Sequence, residues 1–193
     1  MKKLFTILTV VALTTTISFA QAQFGATAGL NMSNVTGGDV ELGMKIGMHV
    51  GVSASIPFSD AMSLKTGALY SIKGAADELI GGAVLTYSLS YIEIPLNLSF
   101  AVSDQISLMA GPYIGILMDQ TTKLVYDGTT ILEESGTDGM AAMDIGLNLG
   151  AGFAVSDAIS INAGYQLGLT SLDEDGDARN SNIHIGMTYN FGG

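Results

Sequence analysis

MKIGMHVGVSASI, residues 44–56, sets Met44, Ile46, Met48, Val50, Val52, Ala54 and Ile56 at alternate positions, with Lys45, Gly47, His49, Gly51, Ser53 and Ser55 between them. Strand side chains alternate between faces, so the stretch predicts a β-strand with one wholly apolar face and one face of glycine, serine and ionisable residues. Which face points inward decides the kind of protein this is. A soluble barrel turns its aliphatics in, whereas a lipid-embedded barrel turns them out.

The pattern recurs along the chain. ISLMAGPYIGILMD (106–119), MDIGLNLGAGF (143–153), ISINAGYQLGLT (159–170) and NIHIGMTYNF (182–191) show the same split, and FGATAGLNMS (24–33) and SLKTGALYSIK (63–73) show it less cleanly. With the segment 83–101 these make eight strands, several of the roughly 9–11 residues that cross a bilayer. An eight-strand barrel has a bore only wide enough for side chains, which suits the glycine-rich face. Lys45, Lys65, Lys73, Glu93, Asp119 and Asp144 all fall on that face and none falls on the other. A Lys or Arg exposed at mid-bilayer costs roughly 2–4 kcal/mol, so the one-sidedness places lipid outside. The expectation is an all-β, eight-stranded antiparallel up-and-down transmembrane barrel.

One segment breaks the alternation. In AVLTYSLSYIEIPLNLSF (83–100) the apolar residues are odd-numbered through Leu85, Tyr87, Leu89 and Tyr91, then even-numbered from Ile92 to Phe100. A one-residue β-bulge beside Pro95 is the expected cause, with the half before it rising above the membrane.

Three related turns punctuate the strands: PFSDAMSL (57–64), AVSDQISL (101–108) and AVSDAISI (154–161). Short connections at 57–63, 102–106 and 155–158 alternate with longer ones at 34–42, 121–140 and 171–181 and a modest one at 75–83. Short turns belong to the periplasmic rim of bacterial barrels and long loops to the outside, so the repeating unit is a hairpin and both termini are expected in the periplasm.

The 193 residues fit one domain, and 48% hydrophobic residues with a mean hydropathy of +0.42 is high for a soluble one. Only the extreme N-terminus approaches an apolar run of membrane-helix character. There Lys2 and Lys3 precede an apolar stretch, Leu4 to Phe19, and the small residues Ser18, Ala20 and Ala22 follow. That predicts a secretory signal peptide over 1–20, cleaved after Ala20 or Ala22, and a barrel over 21–193. The absence of cysteine excludes a lipid-anchor Cys, disulfides and thiolate metal sites. The net charge of −11, about −13 without Lys2 and Lys3, argues against nucleic acid or anionic lipid held by charge.

FGATAGLNMS, LKTGALYSIKG (64–74), YIEIPLNLSF (91–100), AGPYIGILMD (110–119), DIGLNLGAGF (144–153), AGYQLGLTSL (163–172) and the closing MTYNF together resemble the outer-membrane β-barrel family common in Bacteroidetes, the porin-family or PorT-like proteins. The resemblance covers essentially the whole mature chain, and its Tyr-x-Glu-Ile-Pro, Gly-Pro-Tyr and terminal aromatic elements are its most specific parts. It implies an outer-membrane location, contact with outer-membrane lipid and lipopolysaccharide, and recognition of a terminal aromatic by the barrel-insertion machinery; most members have no assigned ligand. The chain departs from the pattern by carrying Gly192 and Gly193 after Phe191.

Candidate chemistry is sparse. His49 and His184, the only histidines, are expected inside, where a lipid-modifying enzyme with an inward or rim His is conceivable. Hydrogen-bonded lumen plugs are the preferred reading, because no serine or carboxylate partner stands at a telling spacing and no nucleophile, paired-His or phosphate-loop motif is present. Lys45, Lys65 and Lys73 opposite Glu93, Asp119 and Asp144 are read as an internal ion-pair network rather than a narrow ion path, since a buried unpaired charge is prohibitive. LDEDGDARNSN (172–182) offers Asp173, Asp175 and Asp177 at alternate positions, as a calcium loop does, but lacks the EF-hand glycine and its final glutamate. It is read as a solvated acidic loop. The functional expectation is a non-enzymatic barrel with a structural or surface-interaction role, no cofactor and no metal, with a narrow porin-like passage as the alternative.

Overall fold

The computed structural model describes residues 22–37, 43–172 and 176–191. The signal peptide expected over 1–20, positions 38–42 of an outer loop, Asp173, Asp175 and the terminal Gly192 and Gly193 lie outside the described residues.

Nine antiparallel strands form one sheet: β1 (Gln23–Thr36), β2 (Lys45–Ser59), β3 (Met62–Glu78), β4 (Val84–Ala101), β5 (Ile106–Tyr126), β6 (Thr129–Ser135), β7 (Met143–Ala154), β8 (Ile159–Gly168) and β9 (Arg179–Phe191). The order β4-β3-β2-β1-β9-β8-β7-β5, with β4 also paired to β5, closes a ring of eight strands. β6 stands outside the ring and pairs only with the far end of β5. Among the described residues there is no helix. Closure satisfies backbone N–H and C=O groups between neighbours all the way round, as hydrocarbon surroundings require.

The faces divide as the alternation predicts. Ile46 is 74% exposed and Leu149 63%, while Lys73 and Asp144 are each 1% exposed. Phe24, Phe58, Phe100, Phe153 and Phe191, all exposed, gather near the short-turn end, where aromatic rings of membrane barrels meet the bilayer interface.

Three sequence expectations are corrected. β4 carries no bulge at Tyr91: its pairing with β3 runs in one register from Met62↔Phe100 to Glu78↔Val84, through Tyr70↔Ile92 and Ser71↔Tyr91. Its odd-numbered side points inward throughout, and Tyr91, Glu93, Asn97 and Ser99 are all buried. What changes is the medium. Toward the long-loop end the inner face becomes apolar at Leu89 and Tyr91, and the outer face becomes polar at Thr86 and Ser88, as in a water-surrounded barrel. The bulge lies opposite, in β5: Ser90 faces Asp119 and Tyr91 faces Leu117, leaving Met118 as the extra residue. Beyond Met118 the parity of β5 reverses, and Asp119, expected inside, is exposed.

The stretch 121–140, read as a loop, is largely a hairpin arm that continues β5 and returns as β6. Asp127 (φ 48°) and Gly128 (φ 72°) take the two left-handed positions of the turn. An Asp-Gly pair between β-forming runs is a strong hairpin signal, since it suits a turn with both central φ positive, and LVYDGTTIL contains one.

The division between lipid and water can be measured. Leu149→Arg is expected to cost ~2–4 kcal/mol in urea unfolding from lipid vesicles, and Thr130→Arg, on the arm, under ~1 kcal/mol. Equal costs would contradict the assignment of the arm to water.

Candidate functional site

The lumen is built in tiers, each from side chains that alternation sends inward. Uppermost, at the long-loop end, Leu89, Tyr91 and Leu172 form a buried apolar cluster against Val35, Leu117 and Met140. Leu172 comes from the β8–β9 connection, which is tied down by Leu172 N–H to Ala178 C=O (2.8 Å) and Ala141 N–H to Leu172 C=O (2.8 Å).

Below this lid lies a buried charged tier. The Lys73 ammonium from β3 pairs with Glu93 from β4 and lies 3.9 Å from Asp144 Oδ2 on β7. It also sits over the Tyr113 ring, 4.4 Å from its centre, a position favoured by the ring quadrupole. Asp144 accepts from Asn180 Nδ2 (2.8 Å) and Tyr113 Oη (3.2 Å), and Glu93 accepts from Gln166 Nε2 (2.6 Å). Burying ions costs several kcal/mol each, so such a tier persists only with this density of partners.

An amide tier follows. Asn182 Nδ2 donates to Gln166 Oε1 (2.9 Å) and Asn31 Oδ1 (3.3 Å), and Asn31 Nδ2 donates to Ser71 Oγ (3.0 Å). His49 Nδ1–H donates to Asn31 Oδ1 (3.0 Å) and His184 Nε2–H to Asn148 Oδ1 (3.1 Å), because an amide oxygen only accepts. The two rings meet edge to face at 6.0 Å. Glycine makes room for them: a Cβ on Gly186 would stand 2.7 Å from His49 Nε2, and one on Gly164 2.7 Å from His184 Nε2. The charged and amide tiers together draw side chains from all eight ring strands.

The tiers end partway down. At the short-turn end much of the wall is glycine, serine and threonine, with Lys65, Leu69, Asn97 and Met109 among the few larger side chains, and a cavity of about 560 Å³ remains. Its roof includes Asn31, His49, Glu93 and Gln166, and its mouth includes Gln23, Asp104 and Asp157. The expected side-chain-filled bore therefore describes only the long-loop half.

Of the residues singled out from sequence, Lys73, Glu93 and Asp144 come together as one cluster, and His49 and His184 as another. Lys65 lines the cavity. Lys45 is half-buried at the start of β2 and, among the described residues, its ammonium forms no ion pair. Asp119 lies outside the bulge and its carboxylate accepts from Thr121 Oγ1. Among the described residues neither histidine ring holds a serine hydroxyl or a carboxylate by hydrogen bond, the arrangement a nucleophilic triad needs. Asn31, Tyr91, Asn180 and Asn182 were not singled out. Asn182 opens NIHIGMTYNF and Asn180, read as an acidic-loop residue, lies two positions upstream; both belong to the start of β9, and carrying the polar parity of that segment back through them would have found them.

A closed ring with an apolar outer face and a polar, largely hydrogen-bonded interior defines a transmembrane β-barrel. The family model described as outer membrane protein beta-barrel domain matches residues 19–174, and the chain belongs to that family. Its place is accordingly the bacterial outer membrane. Solved structures of similar fold include Ail of Yersinia pestis (15% identity, 88% of this chain and 99% of that one, TM-score 0.55), crystallised with the heparin analogue sucrose octasulfate. Neisserial surface protein A is also similar (13% identity, 88% and 99%, TM-score 0.54), as is a major outer membrane protein of Thermus thermophilus (13%, 88% and 99%, TM-score 0.52). None of the curated proteins matches the sequence.

Removing one partner of a buried ion cluster strands the others, so Lys73→Met is expected to destabilise the barrel by ~3–5 kcal/mol. Adding Glu93→Gln to that variant should recover part of the loss. Urea titration, with the folded band on unheated gels as the readout, checks both.

Proposed function

We propose that this chain is a plugged, non-catalytic outer-membrane barrel whose working surface is its long-loop end. The observation that carries the reading is the double closure of the lumen there: the Leu89, Tyr91 and Leu172 lid above the Lys73, Glu93 and Asp144 tier. From that side a partner meets the loops and the β5–β6 arm. The short Ser-Asp turns and the termini then face the periplasm, the chain having been exported by the signal peptide over 1–20. The motifs from 24 to 191 support a place in the PorT-like, porin-family branch common in Bacteroidetes, with insertion machinery reading Phe191.

Charge narrows the partner. The arm and its flank carry Asp119, Asp127, Glu133, Glu134 and Asp138 against Lys123, which is paired to Glu133 at 3.3 Å. A polyanion of the kind bound to Ail is disfavoured by that surface, and a cationic or neutral partner, or lipopolysaccharide bridged by divalent cations, suits it better.

The cavity favours the competing reading of a narrow pore, and the two tiers above it oppose that reading. Purified protein in planar bilayers is expected to give flat traces, whereas a variant combining Leu172→Gly, Tyr91→Gly and Tyr113→Gly should show discrete openings. Conductance by the unmodified protein would overturn the plugged reading. Orientation is checked separately: an epitope inserted at Gly128 should bind antibody on intact cells, and one at Asp157 only after permeabilisation.

A further inference from the structure

We propose that the short-turn cavity binds a small zwitterion, with its carboxylate on Lys65 and its ammonium between Asp104 and Asp157 at the mouth. This site is separate from the outer surface discussed above.

The cavity, about 560 Å³ and closed at its inner end, lies within the ~300–1,000 Å³ typical of small-molecule sites. Its charges differ in kind from those of the tier above. Lys73, Glu93 and Asp144 complete one another, but the Lys65 ammonium has neither a carboxylate nor a hydrogen-bond acceptor among the described residues. A second polar group beside it is also unanswered: Asn162 Oδ1 is buried and accepts no hydrogen bond, while its Nδ2 is spent on Thr188 Oγ1 at 3.3 Å. The two lie close together: Asn162 Oδ1, Lys65 Nζ and Ser107 Oγ all stand within 3.4 Å of where a Cβ on Gly152 would be, so this part of the wall presents a cation, a hydroxyl and a free acceptor side by side.

The rim supplies the opposite sign. Asp104 and Asp157 line the mouth, are exposed and form no ion pair among the described residues. A dianion would be repelled at such a rim and a simple cation would be repelled by Lys65. A molecule with a carboxylate at one end, an ammonium at the other and hydrogen-bonding groups between them satisfies both ends of the cavity. Amino acids and short peptides have that chemistry.

The test uses ¹⁵N-labelled barrel (residues 21–193) in lipid nanodiscs, titrated with L-alanyl-L-alanine, with its C-terminal amide and with its N-acetyl derivative. The dipeptide should shift the amide signals of Ser107, Gly152 and Asn162 saturably, and each derivative should bind at least tenfold more weakly. Lys65→Arg should keep the response and Lys65→Met should lose it. Asn162→Asp, which seats a carboxylate beside the ammonium, should lose it too, and it keeps the experiment decisive where Lys65→Met does not fold. No saturable shift, equal binding of either derivative, or a response that survives Lys65→Met or Asn162→Asp would overturn the proposal.

Discussion

The narrowness of an eight-strand ring governs everything inside it. Once β4 pairs with β5 and β1 with β9, side chains on the inner face approach across the bore, and any charge among them must be met by a partner from another wall. Lys73 with Glu93 and Asp144 is the solution this chain adopts, and Tyr113, Asn180 and Gln166 complete it. The cluster does more than tolerate burial. It spans β3, β4, β5, β7, β8 and β9, so ring closure and charge compensation are one event.

The interior also registers where lipid stops. Through the apolar band the inner face is polar and the outer face greasy; above it, along β4 and the arm, the two exchange roles. This inversion lets one continuous strand belong to a membrane barrel at one end and to a water-surrounded sheet at the other. The Met118 bulge marks the change in β5 and sends Asp119 outward into solvent.

The ring was legible because segments such as 44–56 and 143–153 keep one face free of charge over their whole length, a pattern with few physical explanations besides lipid. Segment 83–100 misled for an instructive reason. A reversal of apolar parity means a slipped chain only if the medium on each side stays the same, and here the medium changed. Asp119 was misplaced by carrying alternation through Met118, whose extra step shows only when β5 is set against β4. The partner choices in the lumen were illegible for a different reason. Lys73, Glu93 and Asp144 sit on strands that are not all neighbours, so only the closed ring brings them to one level. The cavity follows from small residues prevailing over a few larger ones at one height on many strands, which no single strand reveals.

The seam between first and last strands closes off one further route. β1 and β9 pair over Phe24↔Phe191 to Thr36↔Arg179, and the joint is sewn again from inside by Thr27 with Thr188 and Asn31 with Asn182. Parting it would break the backbone ladder and the amide tier together. A molecule held in the lumen would thus have no sideways exit into the bilayer, and its only way out would be along the axis of the ring.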